Sequence, residues 1–409
     1  MFDLVIRNAR TLTGETMDIG INDGKIQKIA TSIPEKGKTE QTLQAGHYLS
    51  AGWIDDHVHC FEEMTLYYDY PDQIGVSKGV TTVIDAGTTG AEHLMLEQTH
   101  TLRLAYTGTG VNLVGNLAHF DMESYLLTAL PDNRLGSAAL ANLKSIGVET
   151  KYVIQQEQHI GTYFAEMGYG VRPTEVTYQN RKHSSFGLSQ ENDYELQSFI
   201  ETVDLVHICG ISLSLSDQCA ETAISLAKKA HAQGKKVCFD FNFRPTLNQE
   251  QDQRNILKQR YEEILPYCTI LFGSIRDLTE LLEWRTSDST KNPIAYIQSF
   301  LAYYDIEWFA GTKRTSHEGR KQLKGYLITV TEDVETPFYE LFVLDRIGAG
   351  DAFAAGILLG YAENWSMTRT VEFATGNARL AHAIQGDVPL TTRKQVQQLL
   401  DAPDVDLIR

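Results

Sequence analysis

The chain has 409 residues, enough for two compact domains, and 42% of them are hydrophobic, ample for a buried core. A formal charge of −17 argues against nucleic acid or an anionic membrane as the main partner. The five cysteines (Cys60, Cys209, Cys219, Cys238, Cys268) form no Cys-x-x-Cys, and no apolar run is long enough to span a bilayer, so a reducing cytoplasm is the expected location. Residues 2–50 read as short strands and turns, with a hairpin signal at Ile21-Asn22-Asp23-Gly24-Lys25-Ile26. Stretches 53–58 and 81–86 read as buried strands. From about Gly110 strand and helix alternate. Helices are predicted over 112–120, 135–146, 221–232, 256–265, 294–303, 350–361 and 370–383, and strands over 124–130, 205–211, 237–241 and 269–272. That rhythm predicts an α/β fold, a parallel sheet with helices on both faces. Two further strands, 162–167 and 176–178, predict a small β flap within about residues 151–187.

The run Asp345-Arg346-Ile347-Gly348-Ala349-Gly350-Asp351 carries the most chemistry. Its glycines let backbone approach a ligand, and the apolar stretch after them starts a helix. The unpaired N–H groups and positive dipole end of such a helix suit a phosphate. Asp351 stands in the first turn, where a carboxylate could take a proton from an attacking hydroxyl. The plainer alternative is a tightly packed helix whose aspartate complements the dipole. The seven residues resemble the Asp-Thr-x-Gly-Ala-Gly-Asp signature of ribokinase-like (PfkB-type) sugar kinases. Arg346 replaces the usual Thr, as is common in the 2-keto-3-deoxygluconate kinases that the rest of the chain resembles. The resemblance implies a ribokinase-like fold, with Asp351 as base and Gly348, Ala349 and Gly350 as anion hole. It also implies ATP as donor, Mg²⁺ held mainly by ATP phosphates and water, and a sugar-acid substrate. A homo-oligomer formed through the flap is a further expectation.

Other segments fit the same resemblance. Tyr106-Thr107-Gly108-Thr109-Gly110-Val111-Asn112 occupies the place of the family's Gly-Gly-x-x-x-Asn, so Gly108 and Asn112 are expected to hold sugar hydroxyls. By itself the segment is equally a turn with an Asn helix cap. In the flap, Tyr163 and Arg181 are expected to meet a substrate carboxylate, with Arg172 a competitor for the arginine role. Asp240-Phe241-Asn242-Phe243-Arg244-Pro245 resembles the subfamily's Asp-x-Asn-x-Arg-Pro, which places Asn242 and Arg244 at a strand end facing substrate or phosphate. Softer matches place Ser274, Gly311, Lys313 and Asn377 at the nucleotide. Asp277 stands where relatives carry a Glu that serves the Mg²⁺-water network.

The N-terminal block is of another kind. Ile54-Asp55-Asp56-His57-Val58-His59 puts two imidazoles on one side of a strand, where His57 and His59 could hold a metal. With Ala51-Gly52-Trp53 before it and Gly79–Thr88 after it, the block resembles the opening of metal-dependent amidohydrolases. Their barrel takes ~250 residues, and nothing after residue 95 matches its later ligands. The expected organisation is therefore a mostly-β amidohydrolase-like fragment over 1–92 and a ribokinase-like domain over 93–409 that lacks its first strand. Val80–Ala86 is expected to fill the vacant central slot, with Asp85 standing in for the missing acidic residue; pairing only with residues 1–60 would favour an impaired fusion that merely binds ligand. Amide hydrolysis by the front block is the least favoured reading.

Overall fold

The computed structural model describes residues 1–50, 53–58, 78, 80–85, 93–96, 100–166, 168, 173–243, 251–284, 292–317 and 319–402. The chain forms two compact units, Met1–Ala105 and Tyr106–Arg409, so the boundary falls later than the expected 92/93. The first unit has β1 (Phe2–Arg10), β2 (Thr16–Asn22), β3 (Lys25–Ala30) and β4 (Gly37–Thr42) in one sheet of order β3-β2-β1-β4. The β2–β3 turn is the predicted Asp23-Gly24 hairpin, both residues at positive φ, which matches the right-handed twist of the strands it joins. Val5, Ala9, Ile19 and Ile33 form its core, and Arg7 pairs with the nearly buried Asp18 at 2.8 Å.

β5 (Trp53–Val58) and β6 (Val80–Asp85) pair in parallel, and β7 (His93–Leu96) pairs with β8 (His100–Arg103). This corrects the expectation for Val80–Ala86. Among the described residues that run pairs with β5 alone, which lies within residues 1–60.

The second unit begins with α1 (Thr109–His119), β9 (Thr128–Pro131), α2 (Arg134–Ser145) and β10 (Val153–Gln156). The flap follows as an antiparallel pair, β11 (Thr162–Glu166) with β12 (Glu175–Gln179). Next come α3 (Ser185–Leu188), α4 (Leu196–Thr202), β13 (Leu205–Cys209), α5 (Gly210–Leu215), α6 (Asp217–Ala232) and β14 (Lys236–Asp240). The chain continues through α7 (Gln251–Ile264), β15 (Ile270–Phe272), α8 (Pro293–Tyr304), β16 (Trp308–His317), β17 (Arg320–Ile328), β18 (Asp333–Glu335) and β19 (Tyr339–Glu340). It closes with α9 (Ala349–Ala362), α10 (Met367–His382) and α11 (Arg393–Asp401).

β13 to β16 are parallel, as expected, and their alternate residues feed two cores. Val206, Val237, Phe239 and Leu271 face one side, and Cys238, Ile270, Phe272 and Ala310 face the other with α1, α9 and α10. Strands covered on both faces must be apolar throughout, which is why 237–239 and 270–272 read as continuous runs. Two features differ from an all-parallel sheet. β16 turns back through an antiparallel hairpin into β17, and among the described residues β9 and β10 pair only with each other.

α9 is buried along most of its length, and it packs closely on α10 because small residues line the contact. A Cβ on Gly356 would stand 2.5 Å from the Ala374 Cα.

Candidate active site

The loop before α9 is built by Asp345, which is 4% exposed. Its Oδ1 accepts from the backbone N–H groups of Arg346 (2.6 Å) and Ile347 (3.0 Å), and its Oδ2 accepts from Gly386 N–H (3.2 Å). Gly348 then caps the helix in the left-handed region (φ 79), and a Cβ there would lie 1.8 Å from the Asp387 carbonyl oxygen. Glycine is required twice over. Among the described residues no side-chain cap hydrogen bond closes the start of α9, which leaves its first-turn N–H groups as candidate donors to an anion. A Cβ on Gly350 would meet nothing within 4 Å, which leaves that backbone open to a ligand.

Asp351 lies in the first turn of α9, where the dipole favours its carboxylate. The Asn112 amide donates to its Oδ2 at 2.7 Å, and the Thr107 hydroxyl donates to Asn112 Oδ1 at 2.8 Å. Asn112 is 2% exposed. Each end of its amide thus has one hydrogen-bond partner, which orients it toward Asp351, while a second N–H and a second oxygen lone pair stay available to the sugar hydroxyls it is expected to hold. Gly108, the N-cap residue of α1, keeps a positive φ of 145 with open space on its Cβ side.

Asn242 follows β14 in the left-handed region, φ 38, with its backbone N–H on Asp240 Oδ1 at 3.0 Å. Its amide donates to Thr109 Oγ1 and Cys209 Sγ, both at 3.2 Å, which turns the side chain toward α1 and the Asp351 neighbourhood. Burial pushes the Cys209 thiol up to about 12, so it stays a neutral packing and hydrogen-bonding group there.

In the flap, the Tyr163 hydroxyl donates to Asp387 Oδ2, and Thr107 neighbours both. Burial, then the neighbouring Asp387 charge, raises the Tyr163 phenol, and burial raises the Asp387 carboxyl. The Arg181 guanidinium lies 5.2 Å from the centre of the Tyr178 ring. It lines a cavity of about 220 Å³ with Tyr178, Asn180, Lys182, His183, Ser214 and Leu215. Cys209, Thr107, Thr109 and Asp387 were not singled out by sequence reasoning. Thr107 and Thr109 lay inside a quoted motif, whereas Cys209 and Asp387 carry no local signal.

The nucleotide expectations are only partly compatible with the geometry. Asp277 Oδ2 accepts from the Ser274 N–H (2.6 Å) and hydroxyl (2.9 Å), and burial raises its carboxyl. The pair closes its own turn. Gly311 packs against Gly273, where a Cβ would stand 2.3 Å from the Gly273 carbonyl oxygen, so its place is set by strand packing. Lys313 is exposed on β16. The placement of Asn377 at a nucleotide is overturned. It is fully buried, and its amide donates to Asn116 Oδ1 (2.6 Å) and the Ala352 carbonyl (2.7 Å) while the Thr391 hydroxyl donates to its oxygen. Arg172, Arg244 and His59 lie outside the described residues, and the side chain of His57 does too. Among the described residues no group of three or more His, Cys, Asp and Glu side chains is placed to hold a metal ion.

Comparison with known proteins gives the family. Residues 82–389 match the model of the pfkB family carbohydrate kinases. The solved structure of an Enterococcus faecalis protein named as a 2-keto-3-deoxygluconate kinase is 53% identical, with a TM-score of 0.74 over 78% of this chain and 94% of that one. A 2-dehydro-3-deoxygalactonokinase of Haloferax volcanii is 24% identical over 315 residues, 77% of this chain and 93% of its own length. A stretch of 93 residues, 23% of this chain, is 59% identical to an Enterococcus faecalis deacetylase, of whose length this chain spans only 25%. With its sheet, its uncapped glycine cradle and a family match over three quarters of its length, the chain belongs to the pfkB family of carbohydrate kinases.

Proposed function

We propose that this kinase transfers a phosphoryl group from ATP to a hydroxyl of a sugar acid, with 2-keto-3-deoxygluconate, phosphorylated at its 6-position, as the substrate. The observation that carries the reading is Asp351, set at the open N-terminus of α9 and held there by the Asn112 amide at 2.7 Å. The carboxylate takes the proton of the attacking hydroxyl. The N–H groups of Ala349 and Gly350, with Gly348 as the turn before them, face the charge that gathers on the phosphoryl oxygens. ATP supplies the electrophilic phosphorus together with Mg²⁺ bound to its phosphates. That Mg²⁺ would be held mainly by the ATP phosphates and water, as this small cation prefers.

The substrate class rests on the likeness to the Enterococcus faecalis kinase and on Arg181, whose guanidinium in a polar cavity suits a carboxylate. A coupled ADP-release assay over keto sugar acids and neutral hexoses tests it. Turnover confined to neutral hexoses would reject the acid. A second reading, a fusion that binds ligand with impaired transfer, is favoured by one observation: β6 pairs with β5. It predicts a nucleotide-dependent rise in melting temperature with no ADP release.

A further inference from the structure

Asp387 lies 224 positions from Tyr163 in sequence, yet it meets three parts of the site at once. Its carboxylate accepts from the flap tyrosine. Its carbonyl oxygen abuts Gly348 of the anion cradle so closely that no Cβ fits between them. Thr107, beside it, donates to Asn112, which in turn holds Asp351. One hydrogen bond thus ties the flap to Asp387, and beside it the pair Thr107–Asn112 leads on to the Asp351 carboxylate.

We propose that Asp387 is a positioning residue that latches the flap onto the cradle through Tyr163, and that this latch directs the acidic end of the substrate to Arg181. The second part rests on the sugar-acid reading above; the first does not. Two carboxylates cannot share the Tyr163 hydroxyl without repulsion in a partly buried site. With Asp387 already on that hydroxyl, the substrate carboxylate is left the cationic cavity of Arg181, Lys182 and His183. The latch therefore separates the roles of two flap residues expected to act together. Tyr163 positions the flap, and Arg181 reads the acid.

The test compares Asp387→Ala, Asp387→Asn, Tyr163→Phe and the Asp387→Ala/Tyr163→Phe double variant in the full chain. Amide hydrogen exchange across Thr162–Gln179 reports the latch without any need for turnover. Exchange there should speed by about 10- to 100-fold in Asp387→Ala and Tyr163→Phe, the span expected for a lost hydrogen bond to a charged group. It should stay near wild type in Asp387→Asn, whose amide oxygen still accepts. The double variant should be no faster than either single one, because both remove the same interaction. Additive effects, or an Asp387→Asn variant as fast as Asp387→Ala, would overturn the latch. In the kinetic arm, Tyr163→Phe should raise KM for acidic and neutral sugars alike, whereas Arg181→Ala should raise it about tenfold or more for acidic sugars alone. A Tyr163→Phe effect confined to acidic sugars would overturn the separation of roles. Wild-type chain without turnover would reject the proposed function while leaving the exchange result to decide the latch.

Discussion

Asp351 is held by two different influences, the helix dipole that favours its charge and the Asn112 amide that sets its direction. Removing each should leave a different signature. Asp351→Ala should lower kcat by ~10²–10⁴-fold, the usual cost of a lost general base, with nucleotide binding retained by calorimetry. Near-wild-type turnover would remove Asp351 from the mechanism. Asn112→Ala should lower kcat by roughly tenfold or more, since a charge-assisted hydrogen bond is lost while the base remains. Asn112→Asp should be worse than Asn112→Ala, because it sets a second carboxylate against the first; the reverse order would show that Asn112 acts elsewhere. The glycine-started helix and the place of Asp351 in its first turn were legible in the sequence because these residues are consecutive. The partner of Asp351 was not legible as a partner. Asn112 lies 239 positions away and resembles a sugar ligand; only the packing of α1 beside α9 turns its amide inward. Asn377 misled for a related reason. A polar residue on a helix near a ligand site has the same one-letter appearance whether it faces the ligand or closes a buried network with Asn116 and Thr391.

Among the elements, those with an apolar face were the ones read correctly from the chain. The helices of the second unit carry their period of 3.6, and the parallel strands carry unbroken apolar runs. The β16–β17 hairpin escaped because its outer half, Lys313 to His317, is exposed and carries no alternation to read. Its strand identity comes from pairing alone. Element packing also separates two glycines that look alike in the sequence. At Gly356 a new Cβ would press on the backbone of α10 at 2.5 Å, and at Gly350 it would meet open space. Gly356→Val should destabilise by roughly 3 kcal/mol or more, as overpacking against backbone does, and denaturant titration would show it. Gly350→Ala should leave the denaturation midpoint within about 0.5 kcal/mol of wild type. It should nonetheless impair turnover, because the added methyl stands where the phosphoryl oxygens approach the cradle. Normal kcat in a stable Gly350→Ala protein would place the ligand away from that backbone.

At the scale of the molecule, sequence descent and structural division do not coincide. The family match begins at residue 82, while the second compact unit begins at Tyr106. Residues 82–105 thus match the family while falling in the first unit, and the boundary expected at 92/93 lies between these two limits. The acidic total of −17 says nothing about how the fold responds to pH, because that response belongs to groups whose pKa folding changes. His382 is the clearest of them. It is 1% exposed, its Nδ1–H donates to the Ala378 carbonyl at 2.6 Å, and Arg314, Arg346 and Asp345 are the charged groups around it. Burial, opposed by the Ala378 hydrogen bond and joined by the Arg314 and Arg346 charges, lowers it from 6.5 to about 4. His207, whose Nε2 is buried without a partner, is also lowered to about 4 by burial. Between pH 6.5 and 4 the unfolded chain therefore binds protons that the folded chain excludes, and stability falls as pH falls through that window. At ~1.4 kcal/mol per pH unit, His382 alone would withdraw about 3 kcal/mol by pH 4. Asp277 and Asp387, whose carboxyls burial raises, act in the opposite sense as pH falls, so the wild-type curve reports a sum. The difference between wild type and His382→Gln isolates the histidine, since glutamine is neutral at every pH and can still donate to Ala378. The variant should lose less Tm than wild type between pH 7 and pH 5. Parallel curves would mean that His382 takes up its proton in the folded state at its ordinary pKa, and that its burial does not exclude the charge.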